Sequence, residues 1–140
     1  MNSGPAVDKP SDSAAVTLSP EAATAIGSVA GLGTLSSPFV ATGRSGVRHT
    51  FTFGTSEANR ANVVCDIVAG SAPADETKVL SLFIKIYDVG AKHAVLCAIP
   101  SLTVGAKKLS SLYKMHVIEA ADVDSTVPLV TQTLRGLSTG

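Results

Sequence analysis

Charge is scarce in this 140-residue chain, at 16% of positions against about 25% in an ordinary soluble domain. Eleven basic and eleven acidic residues cancel. No net field therefore draws the chain onto nucleic acid or anionic lipid, and any such contact must come from local placement. Cysteine is also scarce. Cys65 and Cys97 lack the CxxC or Cys/His spacing of a zinc site. Their apolar surroundings suggest buried free thiols, with a disulfide as the rival because both fall in predicted strands that can be neighbours. Long apolar runs are missing: the longest, Ala94 to Pro100, falls far short of the ~20 residues a bilayer requires, so no membrane partner is expected. The opening Met1-Asn2-Ser3-Gly4 has neither the basic region nor the apolar stretch of a signal peptide. A virion or cytoplasmic location is expected.

Recognisable chemistry is missing too. Gly27, Gly31 and Gly33 do not form GxxxxGK[ST], and no strand leads into them. Gly43-Arg44-Ser45-Gly46 matches the GxSxG elbow only in part. No internal repeat is evident. His49, His93 and His116 fall in predicted strands, but strand parity sends their side chains to different faces, so no metal site is expected. Asp66 stands between Val64 and Val68 on a predicted strand, where pairing with a cation such as Lys85 or Lys114 is the ordinary explanation and a shifted carboxylate the functional one. No catalytic residues, enzyme activity or cofactor are expected.

What is present suffices for a core. Leu, Ile, Val and Phe supply 38 residues, above the composition at which disorder becomes the default. Residues 1–46 hold only five charges, much Gly and Ser, and Pro5, Pro10, Pro20 and Pro38, which reads as an extended N-terminal arm. Within it Ser19-Pro20-Glu21 opens a short helix over 20–30, with Ser as N-cap and Pro in the first turn.

From 47 to 140 the pattern reads as a β domain. Val47, His49, Phe51 and Phe53 alternate with polar residues, and Asn62–Val68 follows a polar turn. Lys78–Val89 gives the strongest strand signal, through alternating Leu80, Leu82, Ile84 and Ile86. Gly90-Ala91-Lys92 has hairpin length, and His93–Ile99 is the partner strand, stopped by Pro100. Leu102–Val104 and Leu112–Glu119 suggest two more strands. Beyond Asp124-Ser125, the spacing of Val127, Val130, Leu134 and Leu137 suggests a terminal helix, with a strand as the rival. The expected fold is mainly β: an antiparallel meander or small sandwich of five or more strands, with an N-terminal arm and a short C-terminal helix.

In that arrangement the face opposite the Leu80–Ile86 stripe carries Lys85 and Tyr87, while Arg48, Lys114 and His116 project from other strands. Interleaved cations and rings on an open sheet suit single-stranded nucleic acid. These five residues are the candidate nucleic-acid-binding set. The ordinary alternative is a solvated face. A charge-poor surface, a reaching arm and no catalytic constellation together suggest a self-assembling structural subunit, most plausibly a small viral or phage coat protein whose partners are copies of itself. The alternative is a binding module using the basic face for RNA, or a sheet edge for a protein.

Overall fold

The computed structural model describes residues 16–29 and 31–139. In chain order its elements are α1 (Pro20–Gly27), β1 (Thr34–Ser36), β2 (Phe39–Thr42), β3 (Arg48–Phe51), β4 (Phe53–Glu57), β5 (Arg60–Ala69), α2 (Glu76–Val89), β6 (His93–Ile99), α3 (Val104–Leu112), β7 (His116–Glu119) and α4 (Val123–Thr139). Five strands form one mixed sheet in the order β1-β4-β5-β6-β7, and β2 and β3 pair as a separate hairpin. β1, β4 and β5 are antiparallel neighbours, whereas β5, β6 and β7 run parallel.

The architecture is thus mixed α/β rather than mainly β, and the reason lies in the two central strands. Val63, Cys65, Ile67, Val95, Cys97 and Ile99 pack into the layer containing Ile26, Val130 and Leu134 of α1 and α4. Val64, Ala94, Leu96 and Ala98 pack on the other side against Val79 and Leu82 of α2, Ala106 of α3 and the hairpin's Phe39 and Phe51. Parallel strands covered on both faces read as continuous apolar runs rather than as alternation. Ala94–Ile99 is such a run, and Val63–Ala69 is one broken only by Asp66.

The largest departure from expectation is Lys78–Val89, which is helix. Asp75 caps it, its carboxylate accepting from Thr77 N–H at 3.0 Å, and Gly90 closes it in the left-handed region at φ 77°. Val79, Leu82, Phe83 and Ile86 supply the inward stripe, so the alternate residues Leu80 and Ile84 point outward. Gly90-Ala91-Lys92 is consequently a helix-to-strand connection, and β6 joins β5 in parallel instead of closing a hairpin. His93–Ile99 is a strand over the expected span. Leu102 makes only an isolated bridge with Ala74. The segment expected to be strand over Leu112–Glu119 divides into the end of α3, a turn, and the shorter β7.

The stretch expected to be an arm supplies core from residue 16 onward. Ser19 accepts from Ala22 N–H at 3.1 Å at the start of α1, as the sequence suggests, but Leu18, Ile26, Leu32 and Phe39 are all buried. The rest of the arm, 1–15, lies outside the described residues. The C-terminal segment is a helix, capped by Asp122 rather than Asp124: its carboxylate accepts from Ser125 N–H at 2.8 Å.

Gly43-Arg44-Ser45-Gly46 is the tip of the β2–β3 hairpin. Gly46 N–H donates to Gly43 O at 3.0 Å with Gly46 at φ 90°, the three-residue hairpin connection that needs a left-handed residue at its end. Gly43 faces a second constraint, since a Cβ there would collide with the Asp88 carboxylate.

Candidate functional site

The open sheet face on which the five candidate residues were to lie is absent, because helices and the hairpin cover both faces of the five-stranded sheet. Lys85 and Tyr87 stand on α2 instead. Lys85 is drawn inward: its Nζ lies 2.6 Å from Asp66 Oδ2, donates to Thr50 O at 2.8 Å, and sits 4.6 Å from the centroid of Phe51. Tyr87 is on the outer side, 68% exposed, with the Arg44 guanidinium 5.2 Å from its ring centre. Arg48 is exposed at the start of β3. Lys114 occupies the turn before β7 at φ 60°, and His116 on β7 has its ring 6.3 Å from that of His93. The structure therefore brings together only Lys114 and His116 of the five, at the start of β7, and leaves Arg48 on β3 and Lys85 and Tyr87 on opposite sides of α2.

Asp66 finds Lys85, one of the two partners suggested for it. Its other oxygen accepts from Thr52 N–H at 3.1 Å. The pair lies in a cavity of about 470 Å³ between α2, β3, β5 and Val16-Thr17, whose lining includes Lys78 and Ser81. Carboxylate and ammonium satisfy each other there, which ties α2 and β3 to β5.

A second polar cluster surrounds Asp88. Ser45 donates to it twice, from N–H at 2.9 Å and from Oγ at 2.5 Å, and His49 Nε2 lies 2.8 Å from Oδ2. Bonds from Ser45 and His49 hold this carboxyl down at about 2. Serine, histidine and aspartate meet here, yet Ser45 Oγ and His49 Nε2 both bond the same carboxylate oxygen, so the imidazole is not placed to take the serine proton. The cluster fastens the hairpin tip to the end of α2.

Cys65 and Cys97 are free and fully buried with Sγ atoms 3.8 Å apart. Burial pushes the Cys65 thiol well up, away from the thiolate that reacts or binds metal. Among the described residues no three His, Cys, Asp or Glu side chains come together as metal ligands. Burial, followed by Lys92 and His116, lowers the His93 pKa.

Sequence reasoning missed the feature that folding creates at one end of the sheet. Where β5, β6 and β7 begin, Lys92, His93, Lys114 and His116 lie close together, Arg60 stands further out at the β4–β5 turn, and the hairpin tip brings Arg44 to the same end. These residues come from separate segments, so no local spacing announces them. At the opposite end, Asp75, Glu76, Asp122 and Asp124 stand at the starts of α2 and α4, where acidic groups complement the helix dipole.

The outward face of α2 is a third feature. Leu80, Ile84 and Tyr87 are 41%, 62% and 68% exposed and lie at i, i+4 and i+7. Beside them Phe83 stacks on Tyr113 with ring centres 4.0 Å apart, and Leu112 is exposed next to that stack. No described helix is long and apolar enough to cross a membrane. No protein-family model, curated protein or solved structure matches this chain.

Proposed function

We propose that this chain is a self-assembling structural subunit, non-catalytic in itself, of the kind that builds a small viral or phage coat. The observation that carries the reading is the stripe Leu80, Ile84 and Tyr87, which points away from the sheet. An outward row of large apolar side chains at helical spacing is an interface waiting for a partner.

A second copy fits that stripe. Ile84 lies near its middle, so two α2 helices crossing antiparallel at Ile84 would set Leu80 of one copy opposite Tyr87 of the other. Zero net charge removes the long-range repulsion that keeps like chains apart. A two-fold contact closes on two copies, and a larger assembly needs a second surface. The outer edge of β7 offers one, with Val117 37% exposed and no strand beside it among the described residues.

Light scattering on the purified chain tests the reading. The expected mass is well above 14.2 kDa, and Ile84→Glu, which removes the α2 contact and leaves only the β7 edge, should lower it sharply with an unchanged circular dichroism spectrum. A wild-type chain that stays monomeric at ~100 μM overturns self-assembly. A dimer that grows no further supports the α2 contact and removes the coat.

A further inference from the structure

A groove of about 1180 Å³ opens at the end of the molecule where the parallel strands begin. β2 from Phe39 to Thr42 forms one wall, the β4–β5 turn from Glu57 to Arg60 another, and Gly90 to Lys92 the third. Arg44, Arg60 and Lys92 line it, against one carboxylate, Glu57. No ion pair neutralises any of these three cations among the described residues. Asp88, the other acid nearby, is taken up by Ser45 and His49.

The C-terminal end of α2 points toward this groove, and free carbonyls there would repel an anion. They are occupied. Ile86 O accepts from the N–H groups of Gly90 and Ala91, Asp88 O accepts from Arg44 N–H, and Tyr87 O accepts from the Arg44 guanidinium. Arg44 thus serves the helix end, while the side chains of Arg60, which faces Glu57 across the β4–β5 turn, and Lys92 form no ion pair among the described residues.

The positive charge also extends past the groove. Arg60, Lys92 and Lys114 stand at or just before the starts of β5, β6 and β7, three adjacent strands; because Arg60 lies three residues before Val63, which is level with His93 and Lys114, the row runs obliquely over about 14 Å. A row of cations across several strands suits a chain of anions better than a single phosphate converging on one point. No exposed ring lines the groove, so the recognition is of backbone charge rather than of bases.

We propose that Arg60, Lys92 and Lys114 form a binding track for the phosphodiester backbone of single-stranded nucleic acid. The track shares only Lys114 with the set suggested by strand periodicity, and it does not depend on self-assembly through α2.

Fluorescence anisotropy of labelled dT20 and rU20, measured on the full chain between 50 and 300 mM NaCl, tests it. Three phosphate contacts predict a log–log salt slope of about −2, at roughly −0.7 per contact on single strands. The double variant Arg60→Ala, Lys92→Ala should flatten the slope to about −0.7 and weaken binding at least tenfold at 50 mM salt. Both side chains are exposed, so the fold should be kept, and circular dichroism checks it. Lys107→Ala, Lys108→Ala at the opposite end should leave slope and affinity unchanged. No wild-type binding at 100 μM protein and 50 mM salt overturns the proposal. So does a slope that the double variant leaves in place, or equal competition by polyglutamate, which would mark a docking face for acidic protein instead. Repeating the titration with Ile84→Glu separates the two proposals: binding that survives when the α2 contact is removed belongs to the track and not to that assembly.

Discussion

His49 Nε2 lies 2.8 Å from Asp88 Oδ2, and that contact, with the two bonds from Ser45, joins a hairpin tip to a helix end 39 residues further along the chain. Because these partners bond the ionised carboxylate, the folded pKa of Asp88 is near 2, below its ordinary 3.8. A depressed carboxyl contributes stability above its unfolded pKa and loses it as pH falls through the folded one. The hairpin should therefore stay docked above pH 4 and loosen between about pH 4 and 2. Thermal midpoints measured over that window should fall more steeply for wild type than for Asp88→Asn. Parallel curves would show that Asp88 does not govern the acid response.

Lys85 and Asp66 form the other tie beneath the hairpin, with side chains about one-fifth exposed. Removing one partner strands the other charge in a place that water reaches poorly. Lys85→Met is expected to cost ~1 to 3 kcal/mol, less than for a fully buried pair because of the remaining exposure. The double variant Asp66→Asn, Lys85→Met should recover part of that loss. Urea denaturation of the three variants provides the cycle, and strictly additive losses would mean that the two groups do not interact.

Leu82 and Ile84, two positions apart on α2, are expected to behave in opposite ways. Leu82 is 1% exposed and packs in the layer with Val64 and Leu96, so Leu82→Ala should cost ~2 to 5 kcal/mol. Ile84 is 62% exposed, and Ile84→Ala should change monomer stability by less than ~0.5 kcal/mol. Measurement at dilute concentration keeps association out of the comparison. Equal losses would contradict the outward placement of Ile84.

The buried thiols allow a chemical check. Cys65 and Cys97, shielded on both faces of the sheet, should not react with an aromatic disulfide reagent in the native protein and should both react in guanidinium. Rapid labelling of either thiol without denaturant would count against their place in the core.

The helix–strand ambiguity of α2 shows where the sequence was legible and where it was not. Leu80, Leu82, Ile84 and Ile86 alternate as in a half-buried strand, while Val79, Leu82, Phe83 and Ile86 recur as on a helix face. So apolar a segment satisfies both periods. The residues that decide between them are Asp75 and Gly90, a helix start and stop that also read as loop and turn. Where the flanking signal was unambiguous, as with Ser19-Pro20 before α1 or Pro100 after β6, the element was evident from sequence. The Asp66–Lys85 pair was legible as one of two pairings, because a carboxylate in an apolar strand demands a cation. The cationic track was not legible. Arg60, Lys92 and Lys114 become neighbours only when β5, β6 and β7 line up in parallel, and parallel pairing leaves no spacing rule in the chain.

The separate pairing of β2 with β3 has a consequence for how the molecule opens. That hairpin shares no backbone ladder with the main sheet, and its polar ties to the rest run largely through Asp88 and Lys85 of one helix. β5 and β6, by contrast, have a strand on each side and a packed layer on each face. In amide-exchange terms the protein divides into a slow centre and a fast flap. The N–H groups of Val64 and Leu96 should exchange only through global unfolding, while those of Ala41 and His49, paired with each other across the hairpin, exchange once the flap lifts from α2 and its two strands, marginal on their own, part.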